Sequence, residues 1–214
     1  MSAPPFSYIV VEGPIGVGKT TLATRLAESY GGRTLLEAPQ DNPFLERFYE
    51  NTRAHALSTQ LSFLLQRARQ LESLPQGDMF TPLTVSDFLM EKDRLFAQVN
   101  LDPHEYDLYA QVYEHVVARP VAPDLVIYLQ APVSVLKDRI GARGHRYERR
   151  IDEGYLQRLV SEYASFFHEY DAAPLLIVNA SQIDLAHNEE DYQYLYSRLK
   201  GMGKGRHYLN PLPL

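Results

Sequence analysis

Short runs of nearly continuous apolar residues alternate along the chain with longer stretches in which apolar positions recur every three or four residues. The short runs are Tyr8–Glu12, Arg33–Glu37, Leu83–Asp87, Leu125–Gln130 and Leu175–Asn179, filled mainly by Val, Ile, Leu and Tyr. Strands of this kind belong to a sheet covered on both faces. Between them, Thr20–Tyr30, roughly His55–Ser73, Leu89–Asn100, Pro103–Val117, Val133–Arg143, Glu153–Tyr170 and Glu189–Lys200 carry helical spacing, and Gly31-Gly32 stops the first of these. Strand and helix in alternation predict an α/β fold, a five-stranded parallel sheet flanked by helices. The carboxyl ends of parallel strands share one edge, where open sheets bind ligands, so Glu12, Glu37 and Asp87 are candidates for one site.

The loops Ser73–Pro82 and Arg119–Pro123 break this periodicity without the length or bias of an interdomain linker, so residues 1–214 read as one domain without internal repeats. The stretch Gly201–Leu214, with Lys204 and Arg206, reads as a C-terminal tail, frayed or packed on a partner, with a phosphate-seeking arm as the alternative. A content of 45% hydrophobic and 22% charged residues excludes disorder. Without Cys there are no disulfides, thiolate metal sites or cysteine nucleophiles, which leaves oxygen chemistry or His and carboxylate metal binding. The net charge of −6 argues against nucleic acid or an anionic membrane as partner, so any anion site must be local. No run approaches the ~18 apolar residues of a membrane span. Met1–Ser7 carries no Lys or Arg, and a cytoplasmic protein is expected.

Gly13-Pro14-Ile15-Gly16-Val17-Gly18-Lys19-Thr20 satisfies G-x-x-x-x-G-K-[ST] between a strand and a helix, the context in which that pattern has meaning. The glycines let backbone N–H groups curl around a polyphosphate, and the helix beginning near Thr20-Thr21 adds its N-terminal partial charge. Lys19 then reaches the outer phosphates of ATP, and the Thr20 hydroxyl faces Mg²⁺. A plain glycine turn is the alternative. No N-K-x-D tetrad and no long apolar strand ending in paired acids follows, which weakens a switch GTPase and a motor ATPase and leaves a kinase of a small acceptor.

Other residues fit that chemistry. Glu37, ending a strand beside the loop, suits a general base, though a solvated strand-end carboxylate is the plainer reading. Gln60 and Arg67, seven residues apart, share a helix face with Phe63 and Leu64 between them, an apolar floor with polar flanks suited to a nucleobase. An ordinary amphipathic helix is the alternative. Arg139 to Arg150 packs five arginines into twelve residues, as phosphate contacts or as a solvated charge run.

Taken together, these residues resemble the deoxynucleoside kinase family from Tyr8 to about Tyr170, and more weakly to Leu199. The resemblance rests on the phosphate loop, Leu36-Glu37-Ala38-Pro39, Asn42-Pro43-Phe44-Leu45 leading to Tyr49, Gln60 with Arg67, Asp87 followed by Asp93-Arg94, and Arg139-x-x-x-Arg143-Gly144. Order and spacing look like the bacterial branch. The resemblance implies that Glu37 is the base and that Gln60 and an Arg67–Asp93 pair read a purine or cytosine rather than thymine. It also implies that Tyr49 and Glu148 hold the sugar 3′-hydroxyl and that Thr20 and Asp87 attend Mg²⁺. Arg139 and Arg143 would act from a lid at about residues 143–152, and Asn179-Ala180-Ser181-Gln182-Ile183-Asp184 would hold adenine by its backbone. Two positions depart from the pattern. Phe88 stands where familiar members carry Arg, with Arg94 a candidate replacement, and His145 also replaces an Arg, which would weaken the clamp or make it pH-sensitive. The implied activity is ATP-dependent phosphorylation of the 5′-hydroxyl of deoxyadenosine, deoxyguanosine or deoxycytidine, for nucleotide salvage, by a homodimer. The rivals are a thymidylate-kinase-like nucleoside monophosphate kinase and a non-catalytic kinase-like subunit of a larger assembly.

Overall fold

The strand β1 (Tyr8–Glu12) is buried at every residue, because it lies in the middle of a sheet with helices on both sides. The computed structural model describes residues 6–74, 83–117, 121–145 and 147–210. In chain order, α1 (Lys19–Tyr30), β2 (Arg33–Leu35), α2 (Leu45–Glu50), α3 (Thr52–Glu72), β3 (Thr84–Ser86), α4 (Lys92–Asn100) and α5 (Pro103–Val116) follow β1. The second half comprises β4 (Leu125–Gln130), α6 (Val133–Arg143), α7 (Glu153–Glu169), β5 (Leu175–Asn179), α8 (Glu189–Leu199) and β6 (Arg206–Leu209). Single turns of 3₁₀ helix occupy Pro39–Asp41 and Tyr147–Arg150.

All strand pairs are parallel, in the order β2-β3-β1-β4-β5-β6. The expected α/β architecture is present, but among the described residues the sheet has six strands rather than five. The sixth comes from the segment read as a tail: Arg206–Leu209 pairs with β5, with Leu175 opposite Arg206. Of its four residues only Leu209 is buried, so the strand carries no apolar run. Residues 211–214 of that segment, 75–82 and 119–120 of the two expected loops, residue 118, residues 1–5 of Met1–Ser7, and Arg146 of the expected lid lie outside the described residues.

One core layer, with Leu22, Leu26, Leu136, Leu195 and Leu199, packs on one face of the sheet, and a second, with Phe48, Leu95, Leu159, Tyr163 and Phe167, packs on the other. A third cluster, Leu64, Met90, Tyr109 and Tyr113, joins α3, α4 and α5 beyond the sheet edge. Helix starts follow local chemistry. Asp102 and Glu105 form a capping box around Pro103 of α5, and the Asn51 side chain caps α3, which begins three residues before the expected start at His55. Between α1 and β2, the N–H of Gly32 returns to Ala27. This layering puts the carboxyl ends of β1, β2 and β3, with Glu12, Glu37 and Asp87, beside the start of α1.

Candidate active site

The loop between β1 and α1 bends at three left-handed glycines, Gly13, Gly16 and Gly18, with φ of 149°, 85° and 106°. A Cβ on Gly13 would lie 2.4 Å from the Leu129 carbonyl, and one on Gly16 would lie 2.7 Å from Ile140 Cγ1. Both positions therefore require glycine for conformation and for space. Lys19 arches over the loop, its ammonium donating to the carbonyls of Gly13 at 2.8 Å and Pro14 at 3.3 Å. Burial and the nearby Lys92 charge push Lys19 below the usual lysine range, against the pull of Glu12, Glu37 and Asp87.

Glu37 lies two residues past β2, in a segment pinned from two sides. From α3, Gln70 donates to the Leu36 carbonyl at 2.8 Å and Gln66 to the Ala38 carbonyl at 3.1 Å. From β3, the Asp87 carboxylate accepts the Glu37 N–H at 2.8 Å. The Glu37 side chain meets a cluster of cations through one oxygen only. Arg67 Nε donates to Oε1 at 2.7 Å, Arg67 Nη2 lies 2.5 Å from Oε1, and Lys92 Nζ lies 3.1 Å from it. Among the described residues nothing donates to Oε2. Burial raises the Glu37 carboxyl, but Arg67, Lys92 and Lys19 outweigh it and hold its pKa at about 2. The base candidate is thus a carboxylate with one oxygen fixed and one available.

The α3 face is arranged as expected, with one change. Gln60, Phe63 and Arg67 line a cavity of about 600 Å³, whereas Leu64 turns away into the cluster under α5. Phe63, with its ring 5.0 Å below the Arg67 guanidinium carbon, forms the floor instead, and Phe96 of α4 lines the same cavity. Asp93 does not reach the cavity. It is fully buried behind Arg67, its two oxygens taken by Arg67 and the Tyr109 hydroxyl. Burial raises its carboxyl, and Arg67 and Tyr109 oppose the rise. Asp93 therefore orients Arg67 rather than meeting a ligand directly. Tyr49, half-buried, and Glu148 line the far wall, near Tyr155 and Asn100, two cavity residues without a sequence signal of their own.

The arginines divide. Arg143 holds Glu148 through Nε at 3.0 Å and through Nη2. Arg139, expected as a phosphate contact, instead spends its guanidinium on backbone carbonyls: Val17 at 3.1 Å, Ala180 at 2.8 Å and Ile183 at 3.3 Å. It ties the phosphate loop to the Asn179–Asp184 segment. His145 and Tyr147 stack with ring centroids 5.6 Å apart, and Tyr147 stacks on Tyr49 at 6.0 Å. On the other side of the phosphate loop, Arg139, Ala180, Ile183 and Asp184 line a second cavity of about 670 Å³. Gly16, Lys19, Thr20, Thr21 and Arg143 belong to the walls of both cavities. A group held on the loop thus borders two compartments.

Arg94 does not replace the arginine displaced by Phe88. It points outward, pairing with Glu114 and lying over the Tyr113 ring at 4.2 Å, while Phe88 itself is fully buried. A second cation beside Glu37, besides Arg67, is Lys92, which the apolar pattern absorbed into a helix. For a metal, the Thr20 hydroxyl donates to Asp87 Oδ2 at 2.5 Å, an oxygen pair of the kind a hard divalent ion accepts. Among the described residues no group of three His, Cys, Asp or Glu gathers as a metal cage. The Thr20–Asp87 pair suits Mg²⁺, which takes few protein ligands and completes its shell with phosphate and water.

A phosphate loop facing a carboxylate base candidate across a cavity with a nucleobase-sized face defines a small-molecule kinase site. The chain belongs to the deoxynucleoside kinase family, whose profile matches residues 9–202, and it is a nucleotide-binding transferase of that kind. It is 32% identical over 207 residues to a deoxyguanosine kinase of Bacillus subtilis (strain 168), covering 94% of this chain and 98% of that one. It is 28% identical over 205 residues to a deoxyadenosine/deoxycytidine kinase of the same organism, covering 92% and 93%. A solved deoxyadenosine kinase from M. mycoides, with products dCMP and a flexible dCDP bound, superposes with a TM-score of 0.78 at 26% identity, covering 90% of this chain and 97% of that one.

Proposed function

We propose that this enzyme transfers the γ-phosphoryl group of ATP to the 5′-hydroxyl of deoxyadenosine, deoxyguanosine or deoxycytidine, a nucleotide salvage reaction. The observation that carries the reading is Oε2 of Glu37, to which nothing donates among the described residues, in the acceptor cavity whose wall is shared with Lys19 and Thr20. ATP lies with adenine in the cavity beside Ala180–Asp184 and its phosphates on the loop. The deoxynucleoside lies with its base on Phe63 between Gln60 and Arg67, and its 3′-hydroxyl near Tyr49 and Glu148.

The 5′-oxygen attacks the γ-phosphorus, the bond from that phosphorus to the β–γ bridging oxygen breaks, and ADP departs. The hydroxyl proton passes to Glu37 Oε2. A base held at a pKa of about 2 accepts that proton only late, when the 5′-oxygen has become strongly acidic through bonding to phosphorus, as a loose transfer requires. Lys19 and Arg143 stabilise charge on the transferring group, and Arg139 holds the wall against which ATP is bound. Thr20 and Asp87 would hold Mg²⁺, which offsets negative charge on the β- and γ-phosphates. Tyr147 and His145, stacked over Tyr49, shield the acceptor side from water.

Dependence on ATP fits the cytoplasm, and the exposed Leu65 of α3 and Leu108 of α5 suit the contact of a homodimer. The test of the activity is a panel of nucleosides incubated with ATP and Mg²⁺. Appearance of 5′-monophosphates of purine deoxynucleosides or deoxycytidine supports the reading. Conversion of deoxythymidine monophosphate to diphosphate, with free nucleosides untouched, overturns it.

A further inference from the structure

Lys92 is the only lysine buried among the described residues, at 2% exposure. It opens α4, and its ammonium lies 3.1 Å from Glu12 Oε1 and 3.1 Å from Glu37 Oε1. Glu12, the last residue of β1, is held on every side. Oε1 accepts the Leu89 N–H at 3.0 Å, and Oε2 accepts the Gly13 N–H at 2.7 Å and the Tyr163 hydroxyl at 3.0 Å. A continuous chain of contacts therefore runs from the first glycine of the phosphate loop through Glu12 and Lys92 to the base candidate. An ammonium buried between the fully buried Glu12 and the partly buried Glu37 is costly to leave unpaired, so it is confined between the two carboxylates.

We propose that Lys92 is a positioning residue for phosphoryl transfer: with Arg67 it fastens Oε1 of Glu37, leaving Oε2 as the proton acceptor, and it sets that oxygen against the phosphate loop through Glu12. This rests on the kinase reading given above. Lys92 thereby supplies, from the first position of α4, the acceptor-side cation that neither Phe88 nor Arg94 provides. Burial works against its ammonium, but Glu12 and Glu37 outweigh burial and keep the charge in place. Arg67 holds the same oxygen but is itself oriented by Asp93 behind the nucleobase face, so it couples Glu37 to the base. Lys92 couples Glu37 to the phosphate loop. Loss of Lys92 frees the carboxylate to rotate, which misplaces Oε2 and slows transfer without removing either ligand's binding surface.

The test is steady-state kinetics of Lys92→Met beside wild type, with ATP, Mg²⁺ and the best deoxynucleoside of the panel. The expected result is a kcat lower by about 100-fold, with KM for ATP within about threefold of wild type. A general loosening of the fold would instead raise both KM values and lower the unfolding midpoint. Lys92→Met leaves Glu12 buried without its partner, so Glu12→Gln/Lys92→Met, which removes both charges, is measured in parallel. The same fall in kcat in the folded double variant supports the role. A kcat within about twofold of wild type in either folded variant overturns it, as does failure of both variants to fold, which would make Lys92 a structural residue. A wild type that phosphorylates no nucleoside would overturn the kinase reading and this inference together, whereas an active wild type with unaffected variants overturns this inference alone.

Discussion

The N–H of Glu37 donates to Oδ1 of Asp87 at 2.8 Å, while the other oxygen of that carboxylate accepts the Thr20 hydroxyl at 2.5 Å. One buried acid thus joins the segment after β2, which carries the base candidate, to the first turn of α1. Asp87→Ala removes both acceptors. The expected cost is about 1–3 kcal/mol in urea unfolding, from the buried N–H left without a partner. A higher Mg²⁺ concentration at half-maximal rate should accompany it, measured by Mg²⁺ titration at saturating ATP. An unchanged Mg²⁺ requirement would remove Asp87 from the metal side of the site.

Arg67 carries two carboxylates, and one of them, Asp93, is wholly buried. Arg67→Met leaves Asp93 without its cation, and a loss of about 3–5 kcal/mol in denaturant unfolding is expected. Arg67→Met/Asp93→Asn removes both charges and should recover much of that stability while nucleoside binding stays weak. Equal stability of the single and double variants would show that the pair is not the source of the cost.

Gly16 has φ of 85° and no room for a Cβ beside Ile140 and the Leu136 carbonyl. Gly16→Ala should displace the loop from α6 and weaken ATP binding by at least about tenfold in calorimetry. A secondary-structure content unchanged from wild type would show that the damage is confined to the loop.

Acid should weaken the fold through Glu37. Its pKa of about 2 in the folded protein lies below its usual value of 4.5. A depressed carboxyl stabilises the folded state above pH 4.5, and that contribution disappears as pH falls toward 2. Asp87 and Asp93 are displaced upward by burial and act with the opposite sign, so the whole-protein curve mixes the effects. Comparing wild type with Glu37→Gln isolates the first: the stability difference should be full at pH 6 and shrink steadily between pH 4.5 and 2. A difference independent of pH would mean that Glu37 is not held as a carboxylate by its cations.

The central strands were legible because burial on both faces writes itself as an apolar run: β1, β4 and β5 occupy the expected spans Tyr8–Glu12, Leu125–Gln130 and Leu175–Asn179. β2 and β3 end earlier than expected, at Leu35 and Ser86: the Asp87 N–H still reaches the Leu35 carbonyl at 3.4 Å, but the Glu37 N–H turns to the Asp87 carboxylate instead of a ladder carbonyl. β6 and α2 had too few buried residues to show a period. In the site, the phosphate loop stood out by its residue types at fixed spacing, and Gln60 and Arg67 by sharing one helix face, whereas Glu37 was singled out chiefly by the family resemblance. Lys92 was not singled out, since a lysine at a helix start is ordinarily solvated and only the fold shows two carboxylates closing on it. The positions of Arg139, Arg94 and Asp93 likewise depend on tertiary partners: three backbone carbonyls, Glu114 on α5 and Tyr109.

The most direct measurement is the rate of 5′-monophosphate formation by Glu37→Gln, with ATP, Mg²⁺ and a purine deoxynucleoside, beside calorimetric ATP binding. Glutamine keeps the shape and the acceptor oxygen toward Arg67 and Lys92 but cannot take a proton. A kcat lower by about 10²–10⁴-fold with ATP binding intact is the expected outcome. A variant that forms product at the wild-type rate would contradict the account, because the proton of the 5′-hydroxyl would then go elsewhere.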